Sequence, residues 1–416
     1  MKEIHTEIAI IGAGPAGALT AIHLARQGFS TTIIERHPMP RFHIGESLTG
    51  KACNLLRNQY GLGALLSESG FPVKHGTTVY GESAQSVFHV AIPKTSDNPE
   101  GEAWQVRRDV FDAALLDEAI ASGATLLPGS ARSLIQDGEN VTGLRTVQAD
   151  GTEILVHSSW LIDASGTNRF LGQAGLLGPR IPGNYDHQIS VFSRIENAVH
   201  PPEEHGGDTR LFYKDTNHWA WLIPLSETTS SIGVTAPISY MKSTGKRPEA
   251  YLEHEIRHLS PELNRRVPDR RFAEPVRALS NYSYRYEKMV GDGFLAIGDA
   301  RQFIDPIFSY GVHIALFEAS MAARVISEAI RSPQKDLGSS WRELHLTCTR
   351  GAETVQTIID AFWGNPIGFA YAVHHKYPEE ASLLFAGNLY EKNRGPCYQA
   401  LEKIAAASTS RIKQGT

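Results

Sequence analysis

The first pattern in the sequence that could do chemistry is a group of three glycines, Gly12, Gly14 and Gly17, which follow a short β-branched run. At this spacing the first glycine allows a tight turn, the second lets the backbone approach a phosphate, and the third lets a helix pack on a strand. N–H groups at the start of that helix can bind the anion. Glu35 ends the next apolar strand about 20 residues downstream, where a carboxylate can bind ribose hydroxyls. This context favours a dinucleotide site over a plain glycine-rich turn.

A second pattern is the segment HWAWLIPLS, residues 218–226. Trp219, Trp221 and Ile223 fall on one face of an extended chain, because side chains alternate with a period of two. A buried core strand accounts for this pattern without any chemistry. The same face could instead form the wall of a reaction chamber, and the segment alone leaves both interpretations open.

Three later segments indicate which dinucleotide binds. Arg108 begins a helical apolar stripe, Asp163 ends an apolar strand, and the pair Gly298-Asp299 lies between a strand and a helix. Each alone could be an ordinary strand or helix end. In this order along the chain they resemble the FAD-binding domain of the p-hydroxybenzoate hydroxylase class. The resemblance implies bound FAD, with Arg108 reaching the flavin's chain.

The resemblance and the order of the motifs imply an α/β fold, a Rossmann-like FAD-binding domain with an inserted antiparallel β-sheet substrate domain and a helical C-terminal region. The predicted FAD-binding domain is discontinuous, over residues 1–75, 100–185 and 275–335. The predicted β-rich substrate domain comprises residues 76–99 and 186–274. Its strands are QISVFSRI, TRLFYK, HWAWLIPL and SSIGVTAP, separated by polar or Gly/Pro turns. Residues 336–416 are predicted to be helical, with breaks at residues 364–366 and 377–378.

Composition excludes several classes of function. The 416-residue chain has a formal net charge of −5, which argues against nucleic acid as a partner, since phosphate binding needs clustered positive charge. Its three cysteines are far apart and form no metal-binding spacing, so we expect a reducing compartment and no metal site. No apolar run is long enough for a secretory leader or a membrane span. We therefore expect a cytoplasmic protein with no membrane partner.

Within the FAD-binding class, the aromatic segment resembles a motif of the flavin-dependent halogenases, Trp-x-Trp-x-Ile-Pro. Residues 219–224 match it at every fixed position. The resemblance implies that Trp219 and Trp221 close the space between flavin and substrate, which keeps an organic substrate from taking the oxygen directly.

A second halogenase motif, Phe-x-x-Pro-x-x-Ser-x-Gly, is complete in Phe303, Pro306, Ser309 and Gly311. The resemblance implies that the backbone at Ser309, Tyr310 and Gly311 holds a halide beside the flavin. N–H groups at a turn that leads into a helix make a small anion site without a basic side chain. The alternative is that this turn simply binds the flavin ring.

A third match is GFPVKHGTTVYG, which resembles the family segment Gly-Phe-x-x-Lys-x-Gly and places Lys74 at the lysine that captures hypohalous acid. A solvated surface lysine is the alternative, because Lys is seldom buried. In a chamber, the Lys74 ammonium could hydrogen-bond HOX or, with a lowered pKa, form a chloramine. Nearby RFHIGESLTG resembles the family's mobile strap, with Glu46 and Ser47 in its Gly-Glu-Ser.

The resemblance gives a full set of expected site residues. Expected flavin contacts are Gly12, Gly14, Pro15, Ala16, Gly17, Glu35, Arg36, Arg41, Glu46, Ser47, Arg108, Asp163, Gly298, Asp299, Pro306, Gly311 and Val312. Expected catalytic residues are Lys74, Trp219, Trp221, Phe303, Pro306, Ser309 and Gly311.

The implied mechanism is that of a natural-product halogenase. Reduced FAD reacts with O2 to give a C4a-hydroperoxide, a halide attacks the distal oxygen, and HOX passes to Lys74 and then to an electron-rich aromatic carbon. The sequence holds one βαβ dinucleotide pattern and nothing resembling an NAD(P)H site, so we expect a separate flavin reductase as partner.

The substrate is less well defined. Enzymes that act on free tryptophan carry a glutamate just before the halide-site serine, whereas Phe308 stands there. That residue resembles the branch acting on phenols and pyrroles, so we expect a phenol, pyrrole or indole that is free, tethered to a carrier protein or part of a protein. The main rival is a monooxygenase on the same fold, such as one hydroxylating a tryptophan side chain of a protein in quinone-cofactor maturation. A prenyl-reductase-type flavoprotein is a third alternative with little support.

Overall fold

The structure of the chain is a computed structural model that describes residues 2–81, 86–332, 334 and 336–414. The strands are β1 (Lys2–Ile11), β2 (Thr31–Glu35), β3 (Val73–Lys74), β4 (Gly76–Tyr80), β5 (Val87–Ala91), β6 (Ala103–Trp104), β7 (Thr125–Pro128), β8 (Ser130–Asp137), β9 (Asn140–Val147), β10 (Glu153–Asp163), β11 (Ile181–Pro182), β12 (Gln188–Glu196), β13 (Thr209–Asp215), β14 (His218–Pro224), β15 (Thr229–Pro237), β16 (Arg277–Ser280), β17 (Tyr284–Arg285), β18 (Val290–Gly291), β19 (Phe294–Ala296) and β20 (Gln302–Phe303).

The α-helices are α1 (Pro15–Ala25), α2 (Gly50–Asn54), α3 (Gly63–Ser67), α4 (Arg108–Ala121), α5 (Phe170–Gln173), α6 (Ile238–Ser243), α7 (Pro248–His258), α8 (Pro261–Arg266), α9 (Gly311–Arg331), α10 (Gly338–Gly364), α11 (Pro366–Tyr371), α12 (Pro378–Phe385) and α13 (Gly395–Gln414). Short 3-10 helices occur at Gly166–Asn168, Pro202–Glu204 and Gly298–Ala300, and π-helical turns at Leu55–Gln59 and Ala372–Lys376.

The central sheet brings the dinucleotide motifs to one edge. Its main path is β18-β19-β10-β1-β2-β7, with β9 added to β10 and β8 to β9. Strands β19, β10, β1, β2 and β7 are parallel to one another, so their carboxyl ends lie at the same edge. Ile11 at the end of β1 is in register with Asp163, which is in register with Ala296. Helix α1 packs between this sheet, α4 and α9, and its residues are buried except for His23. The α/β fold class predicted from the sequence is confirmed.

A second sheet has the order β16-β12-β15-β14-β13-β4-β5 and is antiparallel except where β13 runs parallel to β4. Its strands β12, β13, β14 and β15 confirm the four strands predicted from the sequence. Strand β16 lies inside the predicted segment 275–335 of the FAD-binding domain, yet it pairs with β12. That segment therefore contributes to both sheets, while the division of the chain into domains stays a prediction.

The C-terminal helices cover one face of the second sheet. Trp219, Trp221 and Ile223 belong to the same apolar cluster as α10 to α13, whereas Ala220 and Leu222 pack on the other face against α7. The predicted breaks occur where α11 and α12 begin with prolines, which are tolerated at the first helical position because that N–H needs no acceptor. Among the described residues, no helix has the length and apolarity to cross a bilayer.

Candidate active site

A cavity of about 1170 Å³ opens at the carboxyl edge of the central sheet and extends to the second sheet. It is large for a ligand pocket, since typical volumes are about 300–1,000 Å³. The predicted site residues that line it are Gly12, Gly14, Pro15, Ala16, Glu35, Arg36, Arg41, Glu46, Ser47, Arg108, Trp219, Trp221, Asp299, Phe303, Pro306, Ser309, Tyr310, Gly311 and Val312. Residues that are far apart in the chain are thus brought to one chamber.

The glycine turn is so tightly packed that side chains would not fit. Gly12 has φ +101°, and a Cβ there would lie 2.4 Å from the carbonyl oxygen of Ala164. A Cβ on Gly17 would lie 1.9 Å from the carbonyl oxygen of Gly12. The backbone of the turn therefore lies directly against the sheet. The N-terminus of α1, with Gly14 at its N-cap, lies at the cavity. The free N–H groups of a helix start suit a pyrophosphate.

Glu35 ties the glycine turn to the next strand. Its Oε2 accepts a hydrogen bond from the Ala13 amide at 2.8 Å, and its Oε1 accepts one from the His37 amide at 2.9 Å. Arg41 Nη2 approaches the same carboxylate at 4.0 Å. The carboxylate therefore fixes the loop geometry as well as lining the region suited to a ribose.

Arg108 holds the strap segment, residues 41–50, in place. Its Nε and Nη2 donate to Asp112 at 2.7 and 3.0 Å, and its Nη1 donates to the Ile44 carbonyl at 2.7 Å. Such bidentate ion pairs are among the stronger hydrogen-bonded contacts. Arg108 lines the cavity, and its hydrogen bonds within the described residues anchor the strap over it, while its contact with the flavin's chain stays a prediction.

Several buried side chains in the cavity wall have a polar atom without a hydrogen-bond partner among the described residues. Gln302 Nε2 and Asp305 Oδ2 have no hydrogen-bond partner within the described part of the chain. Burial raises the pKa of Asp305 to about 7, although a hydrogen bond from the Ile307 amide opposes the rise. Buried polar groups normally find partners, and a flavin ring carries the N–H and carbonyl groups to supply them. The cavity's size, its glycine turn and these atoms together fit FAD.

Asp299 adds a second perturbed carboxyl group to the chamber. Enclosure in the protein raises the pKa of Asp299 to about 7, while the nearby Arg108 guanidinium works against this rise. Carboxyl groups of this kind concentrate at functional sites.

The turn before α9 has the form of a small anion site. Ser309 has φ +61°, and its amide donates to the Pro306 carbonyl at 3.0 Å. The bond from the Ile314 amide to the Tyr310 carbonyl begins the helical pattern, so the amides of Gly311 and Val312 precede it. The Tyr310 hydroxyl is directed to the Leu384 carbonyl at 3.1 Å. Backbone groups, and not the tyrosine side chain, are therefore available to an anion.

The two tryptophans of β14 line the cavity from a fully buried strand. Their ring centroids lie 5.6 Å apart, and Trp221 Nε1 donates to Ser231 Oγ at 3.1 Å. Gly233 on the neighbouring strand makes room, since a Cβ there would lie 2.2 Å from the Trp221 ring. The core-strand interpretation describes this segment correctly, and the buried face is also a cavity wall.

Lys74 lies outside the large cavity, next to a smaller one of about 20 Å³. The residue is 6% exposed, so the surface-lysine alternative is wrong. Its Nζ donates to Ser47 Oγ at 2.8 Å and to the Leu48 carbonyl at 3.2 Å. Burial lowers the pKa of Lys74 to about 8, although the charge of Asp208 opposes the change.

The two cavities share part of their walls. Ile307, Ser309 and Thr209 line both of them. The halide-motif turn thus stands between the FAD-sized chamber and the space beside Lys74.

Phe308 lines the smaller cavity within an aromatic cluster. Its ring centroid lies 5.5 Å from Phe362, 6.3 Å from Phe369 and 5.1 Å from Phe385. Ring faces and edges of this kind pack favourably on another neutral aromatic ring.

Three predicted cofactor residues, Gly17, Asp163 and Gly298, are not among the residues that line the cavity, and their contact with the cofactor stays a prediction. Gly17 packs under the glycine turn. Asp163 accepts hydrogen bonds from the amides of Ser165 and Leu171 at 3.0 and 2.7 Å, and the Gly298 amide donates to Glu318 at 2.7 Å. All three are occupied in shaping the backbone of the cavity wall.

Sequence reasoning missed the residues around Lys74. Asp208 accepts hydrogen bonds from the amides of His75 and Gly76, and its Oδ2 lies 2.7 Å from His89 Nε2. Gly207-Asp208 before a predicted strand signalled only a turn. Asp208, His89 and His205 also come within metal-binding distance of one another. The two imidazole rings stack face to face at 4.5 Å with 8° between their planes, so their lone pairs do not converge on one point.

Comparison with known proteins agrees with this geometry. Residues 5–343 match the FAD binding domain family. A 1H-pyrrole-2-carbonyl-[peptidyl-carrier protein] brominase of Pseudoalteromonas luteoviolacea is 34% identical over 373 residues, covering 89% of this chain and 88% of the relative. The corresponding chlorinase of Pseudomonas fluorescens is 26% identical over 439 residues, covering 99% and 95%. The solved structure of the flavin-dependent brominase Bmp2 matches with a TM-score of 0.90 at 32% identity, covering 99% of this chain and 100% of that chain. The chain belongs to the flavin-dependent halogenase family and is an FAD-dependent oxidoreductase.

Proposed function

We propose that the protein halogenates an electron-rich aromatic ring, and that its substrate is a pyrrole carbonyl group tethered to a carrier protein. The observation that carries the proposal is the position of Lys74, buried beside a small cavity that shares Ser309 with the FAD-sized chamber. Two relatives whose names specify 1H-pyrrole-2-carbonyl-[peptidyl-carrier protein] support the substrate.

The overall reaction balances with reduced FAD, O2 and halide as co-substrates. Bound FAD supplies the oxygen chemistry: the reduced flavin and the halide each give two electrons to O2, and the products are oxidised FAD, water and HOX. HOX then transfers the halogen to a ring carbon, the ring loses a proton, and the oxygen leaves as water. A separate flavin reductase would supply the reduced flavin.

The protein's part is to hold the halide on one side and the electrophile on the other. The backbone amides of Gly311 and Val312 would bind the halide, because they precede the hydrogen-bonding pattern of α9, whereas the Ser309 amide donates to the Pro306 carbonyl. Lys74 would receive HOX on the far side of the same turn. At neutral pH its ammonium can donate to HOX, and a pKa near 8 leaves a fraction of neutral amine that could form a chloramine.

The cavity wall would favour halogenation over direct hydroxylation. Trp219 and Trp221 occupy the face of the second sheet that borders the FAD-sized chamber. Phe308 and its aromatic neighbours form the region beyond the halide turn, beside the smaller cavity. A substrate ring held there would be separated from the flavin, so oxygen would reach it only after conversion to HOX.

The test supplies FADH2 from a reductase, with O2 and either chloride, bromide or no halide. The substrates are pyrrolyl-carrier protein and free pyrrole-2-carboxylate, and the products are measured by mass spectrometry. We expect a halide-dependent gain of halogen on the carrier-bound ring. A gain of oxygen that does not need halide would refute the proposal and favour a monooxygenase.

Lys74→Ala tests the role of the lysine. We expect halogenated product to disappear while flavin oxidation and peroxide release continue. Lys94→Ala, at an exposed lysine, is the matched control and should retain activity. Halogenation by the Lys74 variant would show that HOX reaches the substrate by another route.

A further inference from the structure

We propose that Asp208 is a positioning residue for Lys74, and that the segment Gly207-Asp208-Thr209 forms the seat that orients the lysine amine. This inference rests on the role proposed above for Lys74. Each of the three residues contacts a different part of the lysine's surroundings.

Gly207 lies directly against the strand that carries Lys74. A Cβ on Gly207 would lie 1.8 Å from the carbonyl oxygen of Val73, so only glycine allows this approach without a shift of the backbone. Gln105 Nε2 donates to the Gly207 carbonyl at 3.1 Å. The segment is therefore fixed on both sides.

Asp208 fixes the backbone that follows the lysine. One carboxylate oxygen accepts hydrogen bonds from the amides of His75 at 2.7 Å and Gly76 at 2.9 Å. The side chain is 1% exposed. Hydrogen bonds to a buried carboxylate are stronger than those between neutral groups, so they restrict where the strand can place Lys74.

Thr209 holds the acceptor of the lysine amine. Its Oγ1 lies 2.8 Å from Ser47 Oγ, which accepts from Lys74 Nζ at 2.8 Å. Gln105 Nε2 also donates to Thr209 Oγ1, at 2.9 Å. This chain of buried hydrogen bonds sets the position of Ser47 and hence the direction of the amine.

Asp208 also supplies the negative charge near the lysine. Asp208 and Cys53 are the described groups that raise the pKa of Lys74 against the effect of burial. Burial raises the pKa of Cys53 itself to about 12, so this thiol is neutral at working pH. The groups that face Asp208 in turn are His89, through a hydrogen bond, and the exposed His205.

Asp208→Asn tests the charge with little change in shape, because the amide oxygen can still accept from both backbone amides. Lysines labelled with 13C at Cε are titrated by NMR, and the signal of Lys74 is assigned by its absence from Lys74→Ala. We expect the pKa of Lys74 in the variant to fall below its wild-type value. The part of the pH profile of halogenation that follows the protonation of Lys74 should move to lower pH by the same number of pH units as the pKa of Lys74.

Glu255→Gln is the matched control. Glu255 lies on α7, and its buried carboxylate pairs with a histidine as Asp208 does, with His218 Nε2 2.9 Å from Glu255 Oε2. It should leave the Lys74 signal unchanged. Thr209→Val keeps the Asp208 charge but removes the partner of Ser47. We expect it to lower the yield of halogenated product per flavin oxidised, with the excess appearing as peroxide.

The results separate this inference from the proposed function. The positioning role would be overturned if the pKa of Lys74 is unchanged in Asp208→Asn. It would also be overturned if Thr209→Val yields as much halogenated product per flavin oxidised as wild type. If instead Lys74→Ala still halogenates while the titration moves as expected, the assigned role of Lys74 fails but the electrostatic link to Asp208 stands. If Asp208→Asn does not fold, the yield of halogenated product per flavin oxidised by Thr209→Val decides the question.

Discussion

The burial of Lys74 makes a prediction about folding that does not depend on catalysis. Replacing Lys74 with Met keeps an unbranched side chain of similar length but removes the ammonium. A charged group in a poorly solvated place destabilises the folded state, because the unfolded chain hydrates it fully. We therefore expect Lys74→Met to be more stable than wild type at neutral pH.

The magnitude follows from the pKa of Lys74, which is lowered from 10.5 to about 8. Each pKa unit corresponds to about 1.4 kcal/mol, so the protonated lysine disfavours folding by about 3 kcal/mol below pH 8. Met leaves Ser47 and the Leu48 carbonyl without the lysine's hydrogen bonds, which offsets about 1 kcal/mol of this gain. The net expectation at pH 7 is about 2 kcal/mol in favour of the variant.

The stability advantage of Lys74→Met should depend on pH. Between pH 8 and 10.5 the folded protein has released the Lys74 proton while the unfolded chain still holds it, so wild-type stability rises with pH. The variant lacks this contribution, and its advantage should shrink by about 2 kcal/mol between pH 7 and pH 9.5. Urea unfolding of both apoproteins, followed by tryptophan fluorescence, measures the difference at each pH.

Other groups that titrate in this range affect both proteins equally and cancel in the difference. Lys94→Met, at an exposed lysine, is the control. The difference in unfolding free energy between this variant and wild type should not change with pH. A constant stability difference between Lys74→Met and wild type over this range would refute the lowered pKa and the burial argument with it.

The remaining predictions concern the large cavity. Gly12→Ala should abolish FAD retention after gel filtration, read as flavin absorbance per protein, because its Cβ would meet the Ala164 carbonyl at 2.4 Å. Trp221→Phe should destabilise the apoprotein more than Trp219→Phe, by about 1 kcal/mol in urea unfolding, since only the Trp221 indole N–H is hydrogen-bonded within the described residues. Arg108→Lys should raise the apparent KM for FADH2 and speed proteolysis of residues 41–50, because an ammonium cannot hold the aspartate and the strap carbonyls together.

The sequence predicted the parts of the fold that depend on local patterns. The glycine turn, the alternating strands of the second sheet and the proline-marked helix breaks each follow from rules that act over a few residues. Gly12, Trp219 and Ser309 line one cavity, and in the sequence only the family resemblance links their motifs. Whether each role in catalysis is correct stays a prediction.

The seat of Lys74 could not be predicted in the same way. Asp208 reaches residues 75 and 76 across more than 130 positions of sequence, and its contacts depend on the parallel pairing of β13 with β4. Parallel partners are not joined by a short turn, so nothing local in the sequence specifies the pairing. The hydrogen bonds of Asp163 could not be predicted for a related reason: a carboxylate at a strand end can serve either a ligand or the backbone, and here it accepts from the amides of Ser165 and Leu171.

The position of the halide-motif turn suggests how one fold can separate two chemistries. Ser309 and Ile307 border both the FAD-sized chamber and the space beside Lys74, so a change in this turn alters the route between them as well as the anion site. A wider route would let the substrate ring approach the flavin and would favour oxygen transfer to the ring. A closed route would keep HOX from reaching Lys74 and would favour peroxide release. The choice between halogenation and hydroxylation would then depend on the shape of the turn and of the tryptophan wall.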